Sequence, residues 1–435
     1  MQHYYPKRNI SMKEQLQIIM RREWESLKRG GIIFLHFLRW GVISCAIGAF
    51  IGAVGAGFYF AMQYVTDLRG THPFLLYFLP LAGLVIALLY ELAGESKQGT
   101  NLVLASVREE GRIPFLMAPL IFISTILTHM FGGSAGREGA ALQLGGSIAQ
   151  QCGRFLHMKQ DSLNIITLCG MSACFAALFG TPVAAAIFCL EVVSVGVMYY
   201  SALVPCVLSS VTASYVASLF GIKPESFHIE AIASFDVLTA LRILALGALC
   251  ALVSILFCRT MHTASHLAAK IKNPYLRIFI GGCIFVALTL LLGTRDYTGA
   301  GISVIEQAME GIARPEAFLL KILLTAVTLG FGYKGGEIVP SFFVGATFGC
   351  VAGSLLGLPP AFAAAIGLSA VFCGVTNCPI ASLLIACELF GFSGMPYFLI
   401  AIAVSYLLSG YYGLYSTQKI VHSKYKPEFI NIHTK

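Results

Sequence analysis

The sequence predicts an all-α polytopic membrane protein, made of two related halves that use broken and re-entrant helices. Three observations predict it. Only 11% of the 435 residues are charged and 57% are hydrophobic, with a mean hydropathy of +0.79. A soluble domain carries about 25% charged residues, so this chain cannot cover a water-facing surface and the bilayer is its natural solvent. The apolar runs are uneven in length and are parted by glycine rather than by charged loops. The second half also repeats motifs of the first.

A crossing helix needs roughly 20 apolar residues. Residues 33–64 exceed that with one charge, Arg39. Further apolar runs lie at 74–93, 114–129, 165–179, 183–200, 202–220, 238–258, 278–292, 318–329, 342–356 and 396–408. Several are too short for a simple crossing. Non-helical backbone at membrane depth is tolerated only inside protein or beside a watery cavity, so these runs read as tilted, broken or re-entrant helices.

The charge distribution predicts topology. Lys7, Arg8, Lys13, Arg21, Arg22, Lys28 and Arg29 crowd the N-terminus, Arg259, Lys270, Lys272 and Arg277 lie between the halves, and Lys419, Lys424, Lys426 and Lys435 end the chain. The positive-inside rule places all three groups, and so both termini, in the cytoplasm, which implies a multi-pass protein of the cell (plasma) membrane. Residues 1–31 form a cytoplasmic segment whose stretch 12–29 resembles an amphipathic surface helix in contact with lipid. The first ~30 residues lack the apolar core and small-residue site of a cleaved signal. The membrane domain is expected over 32–418, with repeats at about 32–221 and 235–418, and a short cytoplasmic tail over 419–435. No nucleic-acid partner is expected, since no folded domain accompanies the basic groups. Trp24 and Trp40 flank the first span as interface anchors. The thirteen cysteines lie mostly in apolar runs without a C-x-x-C pair, which reads as buried packing. Neither a metal nor a cofactor is expected. His262 and His266 share a helix face but lack a further ligand.

The repeat is read at two spacings. Gly170-Met-Ser-Ala-Cys-Phe175 matches Gly367-Leu-Ser-Ala-Val-Phe372, and Pro182, Ala184 and Glu191 match Pro379, Ala381 and Glu388, all 197 residues on. Gly136-Arg137-Glu138 echoes Gly335-Gly336-Glu337, and Gly146 echoes Gly345, at 199. Transporters built from such repeats bind substrate near the midplane, between the positive ends of discontinuous helices. Each half carries an acid in a glycine-rich intramembrane segment. An ionisable group there costs roughly 2.5–3.5 kcal/mol on insertion scales and reads as functional by default.

In Gly132-Gly-Ser-Ala-Gly-Arg-Glu-Gly-Ala140, glycines let backbone N–H groups converge on a ligand. A helix starting near Glu138 aims its unpaired N–H groups and its dipole at an anion. The Glu138 carboxylate would compete for that seat and release it on protonation. The alternative is an acid that stabilises its own helix end.

These segments resemble the CLC family of chloride channels and anion/proton antiporters. Gly136-Arg137-Glu138-Gly139, followed by Gln143 and Gly145, resembles its gating-glutamate motif. Gly335-Gly-Glu337-Ile338-Val339-Pro340 resembles its second anion-binding segment. Tyr415, in Gly413-Leu-Tyr-Ser416, matches a tyrosine whose hydroxyl binds the central anion, and the stretch Pro182 to Glu191 matches one ending in an acid. The resemblance runs from about Ile33 to Gln418. It implies two inverted-topology repeats, a homodimer with a pore in each subunit, and either anion conduction or anion/proton exchange, without enzymatic activity. It implies an anion path over Gln98, Gly99, Gly136, Arg137, Gly139, Ile338, Val339 and Tyr415, with Glu138 and Glu337 binding protons. Some twenty residues after Tyr415 are too few for the regulatory domain of many members.

Three departures bear on the ion. Gln98, beside Lys97, stands where the family's selectivity serine falls, and its amide can still donate to an anion. Ala140 replaces a proline. Val192 replaces the second, internal glutamate of the chloride/proton exchangers. These departures, with Glu337, point to the fluoride/proton antiporter branch, while Val339 (for that branch's threonine) and Gln98 depart from it. The leading expectation is halide (chloride or fluoride) exchange against protons, gated by Glu138. The runner-up is a passive chloride channel. A remote third is an intramembrane serine hydrolase, because Gly132-Gly-Ser134-Ala-Gly136 fits the G-x-S-x-G elbow, with His129 as its nearest base.

Overall fold

Apolar periodicity without proline carries the first helix far beyond one crossing. In the computed structural model, which describes residues 12–94, 99–108, 111–227, 229 and 236–435, α1 runs unbroken over Met12–Thr71. The separate surface helix expected over 12–29 is thus continuous with the first span. Gly30 and Gly31 weaken a helix by about 1 kcal/mol each, but nothing there removes a hydrogen bond as proline would. Residues 1–11 lie outside the described part.

The first half continues with α2 Leu79–Leu92, α3 Thr100–Arg108, α4 Met117–Met130, α5 Glu138–Phe155, α6 Gln160–Phe179, α7 Pro182–Glu191 and α8 Leu203–Leu219. The second has α9 Val237–Ala269, α10 Pro274–Leu292, α11 Ile302–Met309, α12 Ala317–Gly330, α13 Ile338–Leu355, α14 Pro360–Thr376, α15 Pro379–Phe390 and α16 Met395–Leu408. Among the described residues, seven helical segments are long and apolar enough to cross a membrane. The apolar run 183–200 is interrupted. Its helix ends at Glu191 and passes into a short strand, β1 Ser194–Val195. Helices α14 and α15 lie outside the apolar runs named from the sequence, although the repeat motifs Gly367 to Phe372 and Pro379 to Glu388 fall within them.

The structural register corrects the 199 spacing. Helices α4 and α12 are both 14 residues long, and α5 and α13 both 18, each pair starting 200 positions apart. The Ser134 N–H donates to the Thr328 hydroxyl at 3.1 Å and the Lys334 N–H to the Thr128 hydroxyl at 3.3 Å, the same bond twice at that offset. Helix α6 is three residues longer than α14, which turns 200 into the 197 of the later matches. Glu138 therefore shares its place with Ile338, and Glu337 with Arg137.

Helices α6 and α14 form the core. An aromatic chain joins them through Phe175 and Phe179 of α6, Phe188 of α7, Phe342 of α13 and Phe372 of α14, with successive ring centroids 5.0–5.6 Å apart. Helix α5 crosses α6, and α13 crosses α14, at backbone contact. A Cβ on Gly145 would lie 2.1 Å from the Gly170 carbonyl, and one on Gly345 2.5 Å from that of Gly367. The last residues are not a loose tail. Strands β2 Lys419–His422 and β3 Phe429–His433 join β1 in one sheet. Lys424 Nζ ties them down by donating to Asn377 Oδ1 and, at 2.9 Å, to the Tyr406 carbonyl.

Candidate functional site

The starts of α5 and α13 meet backbone to backbone. Gly136 and Gly336 exchange two N–H···O bonds of 2.7 Å as an isolated antiparallel bridge. A Cβ on Gly139 would lie 2.7 Å from Gly336 Cα, and one on Gly336 2.4 Å from Gly139 N, so only glycine permits this approach. Two helix ends with unpaired N–H groups thus face one place, a seat for negative charge.

Both expected acids are at this junction. Glu138 opens α5 and is 1% exposed. One of its oxygens accepts from the Arg137 N–H at 3.1 Å and the other from Arg137 Nε at 3.3 Å. Arg137 also donates to Glu225 Oε1 at 3.2 Å and lies over the Tyr59 ring. Glu337 is the N-cap residue of α13 and does not cap with its side chain. Its Oε2 is buried without a partner, in contact range of Gly139. Glu138 is clamped and Glu337 is not.

Ile338 and Val339 are buried in the first turn of α13, and Val339 Cβ lies against Gly136. Tyr415 is 1% exposed, its hydroxyl is buried without a partner, and the Glu337 carboxyl lies within electrostatic reach. A buried orphan donor fits an anion, since leaving it unpaired costs about 1–3 kcal/mol. Gly99 precedes α3 and lines a cavity of about 660 Å3 with Asn101, Arg277 and Thr417. Gln98 and Lys97 lie outside the described residues. On the Arg137 side, a cavity of about 450 Å3 is lined by Arg137, Glu225, Arg69, His129 and Thr298.

Other expectations resolve differently. Ser134 shares a hydrogen bond with the Thr325 hydroxyl at 3.0 Å, and His129 Nδ1 is bonded to the Thr125 carbonyl. The segment lies between helices α4 and α5 rather than after a strand, so the G-x-S-x-G match has no hydrolase geometry. His262 Nε2 is engaged by the Gly413 carbonyl at 2.8 Å, and His266 is exposed. Trp24 is exposed, whereas Trp40 is buried in the fold.

Sequence reasoning missed Lys321, a fully buried lysine inside the apolar run of α12. Its Nζ donates to the carbonyls of Gly299 at 2.7 Å and Tyr297 at 3.2 Å and lies 5.0 Å from the Phe343 ring centre. The charge itself, in a run otherwise apolar, was the available signal. Glu225 was missed too, because nothing local ties it to Arg137, 88 residues away.

A polytopic helical protein with two acids at facing helix starts, an orphan hydroxyl within reach of one of them and cavities nearby belongs to the class of membrane transport proteins for small ions. The family model described as voltage gated chloride channel matches residues 82–410. A chloride/fluoride channel protein of Pseudomonas syringae pv. tomato is 35% identical over 90% of this chain and 88% of its own. The crystal structure of a CLC-type fluoride/proton antiporter superposes with a TM-score of 0.85 at 34% identity, over 88% of this chain and 98% of that one. A slow cyanobacterial Cl-/H+ antiporter shares the fold, with a TM-score of 0.73 at 19% identity over 85% and 94%. The chain belongs to the voltage-gated chloride channel (CLC) family.

Proposed function

We propose that the protein exchanges a halide, fluoride foremost, for protons across the membrane. The carrying observation is the pair of carboxylates at the facing starts of α5 and α13, one clamped by Arg137 and one with an unpartnered buried oxygen. Glu138 occupies the anion's seat and vacates it when protonated. Glu337 takes the second proton-binding role, in a chain with Val192 where a family exchanger would carry its internal glutamate. The anion passes between the α5 and α13 helix starts and the Tyr415 hydroxyl, with Gly99 at the far mouth. The 34% identity to a fluoride/proton antiporter favours fluoride over chloride.

In this reading the protein lies in the cell membrane with both termini in the cytoplasm, works as a homodimer among lipids, and catalyses no covalent reaction. The test is efflux from reconstituted liposomes loaded with fluoride or with chloride, read together with internal pH. Coupled proton movement with fluoride supports the proposal. Halide flux that moves no protons would establish a passive channel instead, the reading favoured by the wording of the 35% identical relative's name.

A further inference from the structure

A further cavity adjoins the Gly99 cavity, with which it shares Arg277 and Gly332. It has a volume of about 690 Å3 and opens between the end of α2 and the start of α10. Its walls are of two kinds. Ile86, Ala87, Ile278 and Phe331 make it apolar on one side, while Lys272, Arg277 and Lys334 bring three cations. Glu91 is the one acid among its described lining residues, and its Oε2 is occupied by the Tyr275 hydroxyl. Arg277 Nε is buried without a hydrogen-bond partner, and its guanidinium faces Gly332. Elsewhere on the same two helices, Leu88 and Leu92 of α2 and Leu276 of α10 are exposed apolar side chains, which in a bilayer meet acyl chains.

An apolar wall between two helices that carry exposed leucines, beside cationic side chains and an unmet Arg277 donor, matches a ligand with a hydrocarbon body and an anionic head. We infer that this cavity binds the phosphate headgroup of an anionic phospholipid, with Arg277 and Lys272 on the phosphate and a chain along α2 and α10. A charge-assisted pair with phosphate satisfies a guanidinium more strongly than a neutral acceptor. Lys272 and Arg277 also belong to the basic segment between the halves, which the positive-inside rule assigns to the cytoplasmic face, where anionic headgroups collect. Lys334 lies at the inner wall within electrostatic reach of both Arg277 and Glu337. A bound phosphate would thus weaken the positive field on Glu337. The binding itself does not depend on the halide exchange proposed above.

The experiment uses the full chain in liposomes containing photoactivatable phosphatidylglycerol or phosphatidylcholine with the same labelled acyl chain. Crosslinked peptides are mapped by mass spectrometry. Phosphatidylglycerol should label the peptides spanning residues 86–94 and 272–278 at least about fivefold more than phosphatidylcholine, on the scale of a single basic contact. Lys272→Gln, an exposed change harmless to the fold, should lower that labelling, and Lys272→Gln with Arg277→Gln should remove the preference. Equal labelling by the two lipids, or a preference unchanged in both variants, overturns the proposal. Displacement of the label by millimolar inorganic phosphate would also overturn it, by showing a site for the free anion rather than for lipid.

Discussion

Glu191 and Glu388 cap each other's helices. Glu191, at the end of α7, accepts from the Ile380 and Ala381 N–H groups at the start of α15, at 3.2 and 2.9 Å. Glu388, near the end of α15, accepts from Val183 and Ala184 at the start of α7, at 3.1 and 2.8 Å. Each carboxylate satisfies donors that its partner helix leaves open. Glu191 is buried and Glu388 half-buried. Glu191→Ala should therefore cost more, about 2–4 kcal/mol for two stranded N–H groups, and Glu388→Ala less, because water reaches Val183. Thermal unfolding in detergent measures both, and the double variant should be non-additive, since both bonds hold one contact.

Glu138→Gln should abolish proton movement while leaving the fold intact, since the amide retains an acceptor for the Arg137 N–H. Anion flux should change as well, because the seat no longer carries a titrating competitor. Paired halide and pH recordings on liposomes decide this. Unaltered proton coupling would remove Glu138 from the mechanism.

Tyr415→Phe deletes a hydroxyl that has no protein partner. Stability should hold or rise by up to about 1 kcal/mol, since a buried unpaired polar group is lost. Halide affinity should fall, as read by calorimetry. A hydroxyl with a structural role would show the reverse, lower stability with affinity unchanged.

Gly139→Ala places a methyl 2.7 Å from Gly336 Cα, where backbone and not a flexible side chain must move. Overpacking costs about 1–3 kcal/mol, and here it would part the two helix starts. Thermal stability and halide flux should both drop. Gly57→Ala, whose Cβ meets nothing within 4 Å, should do neither and serves as control.

Lys321→Met removes the donor from the Gly299 and Tyr297 carbonyls. Two stranded acceptors predict a loss of about 2–4 kcal/mol, with loosening of the segment around Gly299. Unfolding and hydrogen exchange over residues 297–301 check it.

Much of this was legible in the sequence because it is written locally. Glycines beside Glu138 and Glu337 mark close backbone approach, and the low charge content marks the bilayer. What was not legible depends on partners distant in sequence. Glu191 and Glu388 stood out as a matched pair, but their bonds reach across 189 to 205 residues. The register was misread by one because identity of side chain, Glu to Glu, was followed where the backbone equates Glu337 with Arg137. The sheet at the tail was not legible because each strand alone is short, and its order comes from β1 and from Lys424. Gln98, the expected filter residue, lies outside the described residues.

Arg137 has two acidic neighbours, Glu138 at 3.3 Å and Glu225 at 3.2 Å. In the proposed exchange, Glu225 would still neutralise the guanidinium when Glu138 takes up a proton or turns away. The vacated place would then present backbone N–H groups to an arriving halide and not a bare cation, which would hold it too firmly to let go. Glu225 would act as a counterweight, keeping the charge near the junction level while the other carboxylate moves.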